Sequence, residues 1–116
     1  MRILVIDDEP LVADVIAQAL RLEDNEVVVA SDGEEGLRII AQNPPDAVFL
    51  DIIMPGMDGI QVLRAIRERH PRLPVILLSG WASQSQIEEA RRLGVTDVIS
   101  KPVPLKNLTR ALRQAG

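Results

Sequence analysis

The stretch Ala47-Val48-Phe49-Leu50-Asp51-Ile52-Ile53-Met54-Pro55-Gly56-Met57-Asp58-Gly59 decides the fold. Its first four residues are apolar at every position and run straight into an acid. A strand with one wet face would alternate apolar and polar side chains. An unbroken apolar run closed by turn-forming residues belongs instead to a strand buried on both faces, as at the centre of a parallel sheet. Two other stretches repeat the pattern: Ile3-Leu4-Val5-Ile6 leads into Asp7-Asp8-Glu9, and Val75-Ile76-Leu77-Leu78 leads into Ser79-Gly80. Val27-Val28-Val29 is a further β-branched run, and Val95-Thr96-Asp97-Val98-Ile99-Ser100 is more mixed, which suits a sheet edge.

Between these runs the apolar period changes to that of a helix. Val12, Ile16 and Leu20 recur between Glu9 and Leu22, and Leu37, Ile40 and Ala41 follow a Ser31-Asp32 cap signal. Ile60, Leu63 and Ile66 follow Asp58 as the cap and stop near His70-Pro71, while Ile87 and Ala90 lie between Ser83 and Gly94. Leu105, Leu108 and Leu112 follow Pro104, which suits a first helical turn. The stripes themselves read as core packing. Five strand–helix repeats predict an α/β fold, (βα)5 and doubly wound, with a five-stranded parallel sheet and helices on both faces. Residues 1–116 are expected to form one domain, since the chain has 116 residues and no linker or low-complexity tract.

Composition narrows the function classes. The chain has no cysteine, so disulfides, thiolate metal sites and thiol nucleophiles are excluded. Its apolar runs are too short to span a bilayer, and acids directly after the first run are unlike a signal peptide. Phe49 and Trp81 are the only aromatic residues and the net charge is −4, so direct nucleic-acid binding is not expected. The charge is unevenly distributed: residues 1–60 hold 13 acids and 3 bases, whereas residues 61–116 hold 4 acids and 10 bases.

In an open parallel sheet, ligands bind at the carboxyl ends of the strands. Parallel strands therefore bring Asp7, Asp8, Asp51, Ser79 and Lys101 to one edge. Asp7-Asp8 alone would equally suit a helix N-terminus, where the dipole favours acids. Asp51 alone would suit a turn, and a lone Ser or Lys after a strand would suit solvated surface. Together they describe a site. Three neighbouring carboxylates repel one another, and their oxygens suit a hard cation such as Mg²⁺. One lysine and one divalent cation would balance the three acids and admit an anionic phosphoryl group.

At these residues the sequence resembles the receiver domain of bacterial two-component response regulators, the CheY-like domain. The matching segments are Ile6-Asp7-Asp8-Glu9-Pro10, the stretch from Asp51 to Gly59, Leu78-Ser79-Gly80 and Lys101-Pro102, and the resemblance spans essentially the whole chain. It implies a flavodoxin-like sheet of strand order 2-1-3-4-5. It implies that Asp51 is a phosphoacceptor, taking a phosphoryl group from a phosphohistidine on a sensor histidine kinase or histidine phosphotransfer protein. It implies that Mg²⁺ (or Mn²⁺) is held by Asp7, Asp8, Asp51 and the backbone carbonyl of Ile53. Lys101 would pair with a phosphoryl oxygen and Ser79 would hydrogen-bond the group once it is in place. The chain would be a cytoplasmic signalling domain and not an enzyme, although able to catalyse its own phosphorylation and dephosphorylation. It would be a monomer or a phosphorylation-dependent dimer, controlling an output domain or partner through helix 4, strand 5 and helix 5.

The sequence departs from the family pattern at three places. Val98 stands where an aromatic switch residue is usual, so signal transfer is expected through Ser79 and backbone shifts of helix 4. Ile53 and Trp81 are bulky and apolar and are expected to hinder water near the phosphoryl group. Arg110 and Arg113 are not placed as in the usual DNA-binding dimers. Other readings are weaker. A haloacid-dehalogenase-type phosphatase or phosphotransferase needs a second Asp where Ile53 stands, and a nucleotide or flavin carrier would not place Asp7-Asp8 after its first strand. A receiver-like module that is never phosphorylated would not need the full set of acids, serine and lysine.

Overall fold

The computed structural model describes residues 1–54, 56, 58–80, 82–100, 110 and 114. In chain order the elements are β1 (Arg2–Ile6), α1 (Pro10–Arg21), β2 (Glu26–Ala30), α2 (Gly33–Gln42), β3 (Ala47–Asp51), α3 (Gly59–Arg69), β4 (Val75–Ser79), α4 (Gln84–Arg92) and β5 (Asp97–Ser100). The strands form one parallel sheet of order β2-β1-β3-β4-β5. The expected fifth helix, with Pro104 and the Leu105, Leu108, Leu112 stripe, lies outside the described residues apart from Arg110 and Gln114, which are helical and exposed.

The apolar runs behave as their patterns require. Every residue of β3 and β4 is buried, and β1 is buried beyond Arg2, because helices cover both sides of these strands. β2 and β5 are the edges and mix buried, partly buried and exposed positions. The pleat sends alternate side chains to opposite faces. Ile3, Val5, Phe49, Ile76 and Leu78 meet α1 through Ala13, Ile16, Ala17 and Leu20. Leu4, Ile6, Leu50 and Leu77 meet α2, α3 and α4.

The helices differ from their expected stripes in small ways. In α1 the small residues Ala13 and Ala17 are buried beside Ile16 and Leu20, so the helix approaches the sheet closely and Val12 moves to the border. Ala41 of α2 is exposed, and Ile40 carries the buried contact. The caps follow hydrogen-bonding capacity. Asp32, not Ser31, caps α2 by accepting from the Glu35 N–H at 2.8 Å. Asp58 and Ser83 form capping boxes with Gln61 and Gln86 on α3 and α4. Asp7 and Asp8 do not cap α1. Its N-cap position is Glu9, without a side-chain cap, followed by Pro10, whose missing N–H costs nothing there.

Candidate functional site

The sheet register sets the geometry of the site. Ile6 pairs with Leu50, so Asp7 and Asp51 are the next residues on neighbouring strands. Asp51 in turn pairs with Leu78, which places Ser79 one step further along β4. Ser79 pairs with Ser100, the last residue of β5. Asp7, Asp51 and Ser79 thus lie at one edge of the sheet, at the carboxyl ends of three adjacent strands, where the strand order reverses around β1 and β3. Lys101 lies outside the described residues, as does Trp81.

These side chains are held in a largely buried setting. Asp7 is 1% exposed, Asp51 2% and Ser79 8%, and they are the buried polar or charged residues among those described. Burying carboxylates is costly unless hydrogen bonds or cations compensate. The backbone supplies part of this. The Glu9 N–H donates to Asp7 Oδ1 at 2.9 Å, folding the end of β1 into a tight turn before α1. The Ile53 N–H donates to Asp51 Oδ1 at 3.2 Å in the same i to i+2 pattern, fixing how the carboxylate is turned.

The loop after Asp51 is held from both sides. The Ile52 N–H continues the ladder to the Leu78 carbonyl at 3.1 Å, and the Gly59 N–H donates back to the Ile52 carbonyl at 2.8 Å. Gly59 has to be glycine. A Cβ there would lie 2.4 Å from Ile52 Cα and 2.6 Å from the Asp51 carbonyl oxygen, both main-chain atoms that cannot rotate away. The start of α3 therefore rests directly on the backbone that carries Asp51. Gly56, at φ +81°, makes the bend between them.

Carboxylate oxygens of Asp7, Asp8, Glu9 and Asp51 all lie within 4.8 Å of one another. The donor set is oxygen alone, two of its carboxylates are buried and two partly or fully exposed, and this suits a hard cation that keeps some of its water. The residues present fit such an ion. Glu9 is the member to which sequence reasoning gave no role. Its position two residues past the strand looks like a helix start, and only the tight turn at Asp7 brings it into the cluster.

Comparison with known proteins points the same way. A family model described as the response regulator receiver domain matches residues 3–113. The chain is 37% identical over 113 residues to response regulator MprA of Mycobacterium sp. strain KMS, covering 97% of this chain and 49% of that protein. It is 38% identical over 114 residues to regulatory protein AtoC of Escherichia coli K12, covering 98% of this chain and 25% of that protein. The chain thus spans half or less of the length of these relatives. A response regulator receiver domain protein from Clostridium thermocellum superposes with a TM-score of 0.93 at 36% identity, over 98% of this chain and 92% of that one. The receiver domain of NtrX from Brucella abortus does so with a TM-score of 0.91 at 36% identity, over 97% and 96%.

Proposed function

The chain belongs to the response-regulator receiver family of two-component signalling, and from that premise we propose that Asp51 is its phosphoacceptor. A carboxylate oxygen of Asp51 attacks the phosphorus of a phosphohistidine on a sensor kinase or histidine phosphotransfer protein. The P–N bond breaks, an acyl phosphate forms on Asp51, and the released imidazole takes up a proton. The observation that carries this reading is the buried Asp51 carboxylate, oriented by the Ile53 N–H and facing the oxygens of Asp7, Asp8 and Glu9.

A carboxylate approaching an anionic phosphoryl group meets electrostatic repulsion, so the site needs positive charge. Asp8 and Asp51 would hold Mg²⁺ or Mn²⁺ directly, Asp7 mainly through water, and the Ile53 carbonyl would add a neutral ligand. When bound, the cation offsets the charge spread over the transferring phosphoryl oxygens. Lys101, the residue after the end of β5, supplies the second positive charge as an ion pair to a phosphoryl oxygen. Ser79, buried at the end of β4, donates a hydrogen bond from its hydroxyl to the phosphoryl group once Asp51 carries it.

The surface beside the site suits a protein donor. α1 begins one residue past the acid cluster, and its Leu11 and Val15 point outward, 83% and 55% exposed. A helical partner presenting a phosphohistidine to Asp51 would cover these two apolar side chains and so gain affinity where it delivers the phosphoryl group.

Phosphorylation replaces the single carboxylate charge of Asp51 with a phosphoryl group carrying about −1.5 to −2, and adds three acceptor oxygens. Ser79 follows them, and the β4–α4 connection follows Ser79. Val98 is partly buried against the core beside α4, so the change passes through the backbone of α4 instead of an aromatic rotamer. The exposed faces of α4 and β5, together with the expected fifth helix, form the output surface toward an output domain or partner protein. The chain is in this reading a cytoplasmic switch and not a turnover enzyme.

The test is an NMR titration with beryllofluoride and Mg²⁺. The amides of Ser79 and of the segment after Asp51 are expected to shift in the wild type and to stay in place in Asp51→Asn. Identical shifts in the variant would refute the assignment.

A further inference from the structure

Arg67 on α3 is shared among four carbonyl oxygens belonging to three separate segments. Its Nε donates to the Leu93 carbonyl at 2.6 Å and its Nη2 to the Gly94 carbonyl at 3.0 Å. Its Nη1 donates to the carbonyls of His70 at 3.0 Å and Leu73 at 2.8 Å. The first two acceptors end α4, the third ends α3, and the fourth lies in the entry to β4.

The end of α4 is shaped for this contact. The Val95 N–H bonds back to the Ala90 carbonyl and the Gly94 N–H to the Arg91 carbonyl, with Gly94 at φ +78°. This left-handed close satisfies the carbonyls of the last turn and turns the chain, so that the Leu93 and Gly94 carbonyls meet the guanidinium. A planar fork with five donors spans four acceptors, which an ammonium cannot do from one position. The group is partly buried, and burial lowers its pKa while leaving it charged.

The rest of α4 is lightly held. Ala90 is its one buried residue, against five on α3. The Ser83–Gln86 capping box at its N-terminal end bonds the helix to itself and not to the body. The Arg64–Glu89 ion pair is a second link to α3, and it too lies in the C-terminal half of α4. Among the described residues the two ends of α4 are therefore anchored unequally: the N-terminal end meets the core through the partly buried Ala82, and the C-terminal end through Ala90, Arg64 and Arg67.

We infer that Arg67 is a positioning residue that pins the C-terminal end of α4 to α3 and makes it a pivot. The end of α4 that follows Ser79 and Gly80 swings, and the end at Leu93 stays fixed. What drives the swing rests on the switch reading above; the tether is a property of the resting fold.

Amide hydrogen exchange tests the tether on Arg67→Met, which keeps an apolar stem, and Arg67→Lys, which keeps a charge. In Arg67→Met the amides of Leu93, Gly94 and Val95 should exchange about tenfold or more faster relative to those of β1 and β3, the size expected for losing a charge-assisted hydrogen bond. Arg67→Lys should recover part of the protection. Acceleration spread evenly over all elements, or none at the end of α4, would overturn the tether. A second arm adds beryllofluoride and Mg²⁺. In the wild type the shifts should concentrate between Ser79 and Ile87, and in Arg67→Met they should extend through Leu93. Wild-type shifts as large at Leu93–Val95 as at Ser83–Gln86 would overturn the pivot. A wild-type spectrum that does not move at all overturns the switch reading and the swing with it, while the exchange arm still decides the tether.

Discussion

Asp51 depends on a residue eight positions later. Gly59 packs against the main chain of Asp51 and Ile52 more closely than any side chain permits, with a Cβ falling 2.4 Å from Ile52 Cα. Gly59→Ala must push α3 away from the loop that orients Asp51. Chemical denaturation is expected to show a loss of about 2 kcal/mol, the usual scale for forcing extra volume into packed surroundings, together with reduced uptake of phosphoryl groups from acetyl phosphate. Gly36 makes a useful contrast. A Cβ there would meet Ile6 Cδ1 at 2.4 Å and Cγ1 at 2.8 Å, but these are side-chain atoms, which can shift within the core where the main chain behind Gly59 cannot. Gly36→Ala should cost less than Gly59→Ala and leave phosphorylation unchanged. Equal costs would mean that backbone contact is not what Gly59 protects. At this scale the sequence was partly legible. Acids directly after apolar runs announce Asp7, Asp8 and Asp51 as candidates, which the structure brings together, and the glycine after Asp58 marks a helix start. Nothing local in the sequence says that this glycine touches the Asp51 carbonyl, or that Glu9 turns back into the cluster.

Among the elements, α1 and α4 have the most instructive faces. The capping box of Ser83 matters more to α4 than that of Asp58 does to α3, because α3 also buries Ile60, Val62, Leu63 and Ile66 whereas α4 buries Ala90. Ser83→Ala is expected to cost about 1 kcal/mol, read mainly as faster exchange of the α4 amides. Asp58→Ala should appear instead as a change in global stability. On α1, Leu11→Arg should slow phosphotransfer from a protein donor and leave phosphorylation by acetyl phosphate unaffected, since only the protein must cover that face. Slowing of both would place Leu11 in the chemistry and not in the docking. Strands and most caps could be read from the sequence because they are local: a run of β-branched residues or a Ser three positions before a Gln carries its own signal. The Arg67 tether could not. Its acceptors Leu93 and Gly94 lie 26 and 27 residues away, and in the sequence Arg67 looks like any solvated arginine on a helix. The Asp7-Asp8 pair misleads in the other direction, resembling a helix cap while the structure turns Asp7 onto the Glu9 N–H.

For the whole molecule, the parallel topology turns a charge asymmetry along the chain into one charged sheet edge. Thirteen of the 17 acids fall in residues 1–60. Four of them, Asp7, Asp8, Glu9 and Asp51, gather at the carboxyl end of β1 and β3. This crowding of like charges costs stability that a bound cation would return. Added Mg²⁺ should raise the melting temperature by mass action, with about 2.7 kcal/mol gained at a hundredfold excess over its dissociation constant. Asp8→Asn should melt higher than the wild type without metal, because one repelling charge is gone, and should gain little from Mg²⁺. A variant that still gains the full increment would remove Asp8 from the metal site. The basic excess of residues 61–116 lies partly on the last turns of α3 and α4, at Arg67, Arg69, Arg91 and Arg92, where helix dipoles favour cations.

Intact-mass measurement with peptide mapping decides whether Asp51 accepts the phosphoryl group. After incubation with acetyl phosphate and Mg²⁺, the chain should gain the mass of one phosphoryl group, carried on the peptide containing Asp51. The gain should vanish with a chelator and in Asp51→Asn. A phosphoryl group found on another residue, or an equal gain in Asp51→Asn, would rule out Asp51 as the acceptor.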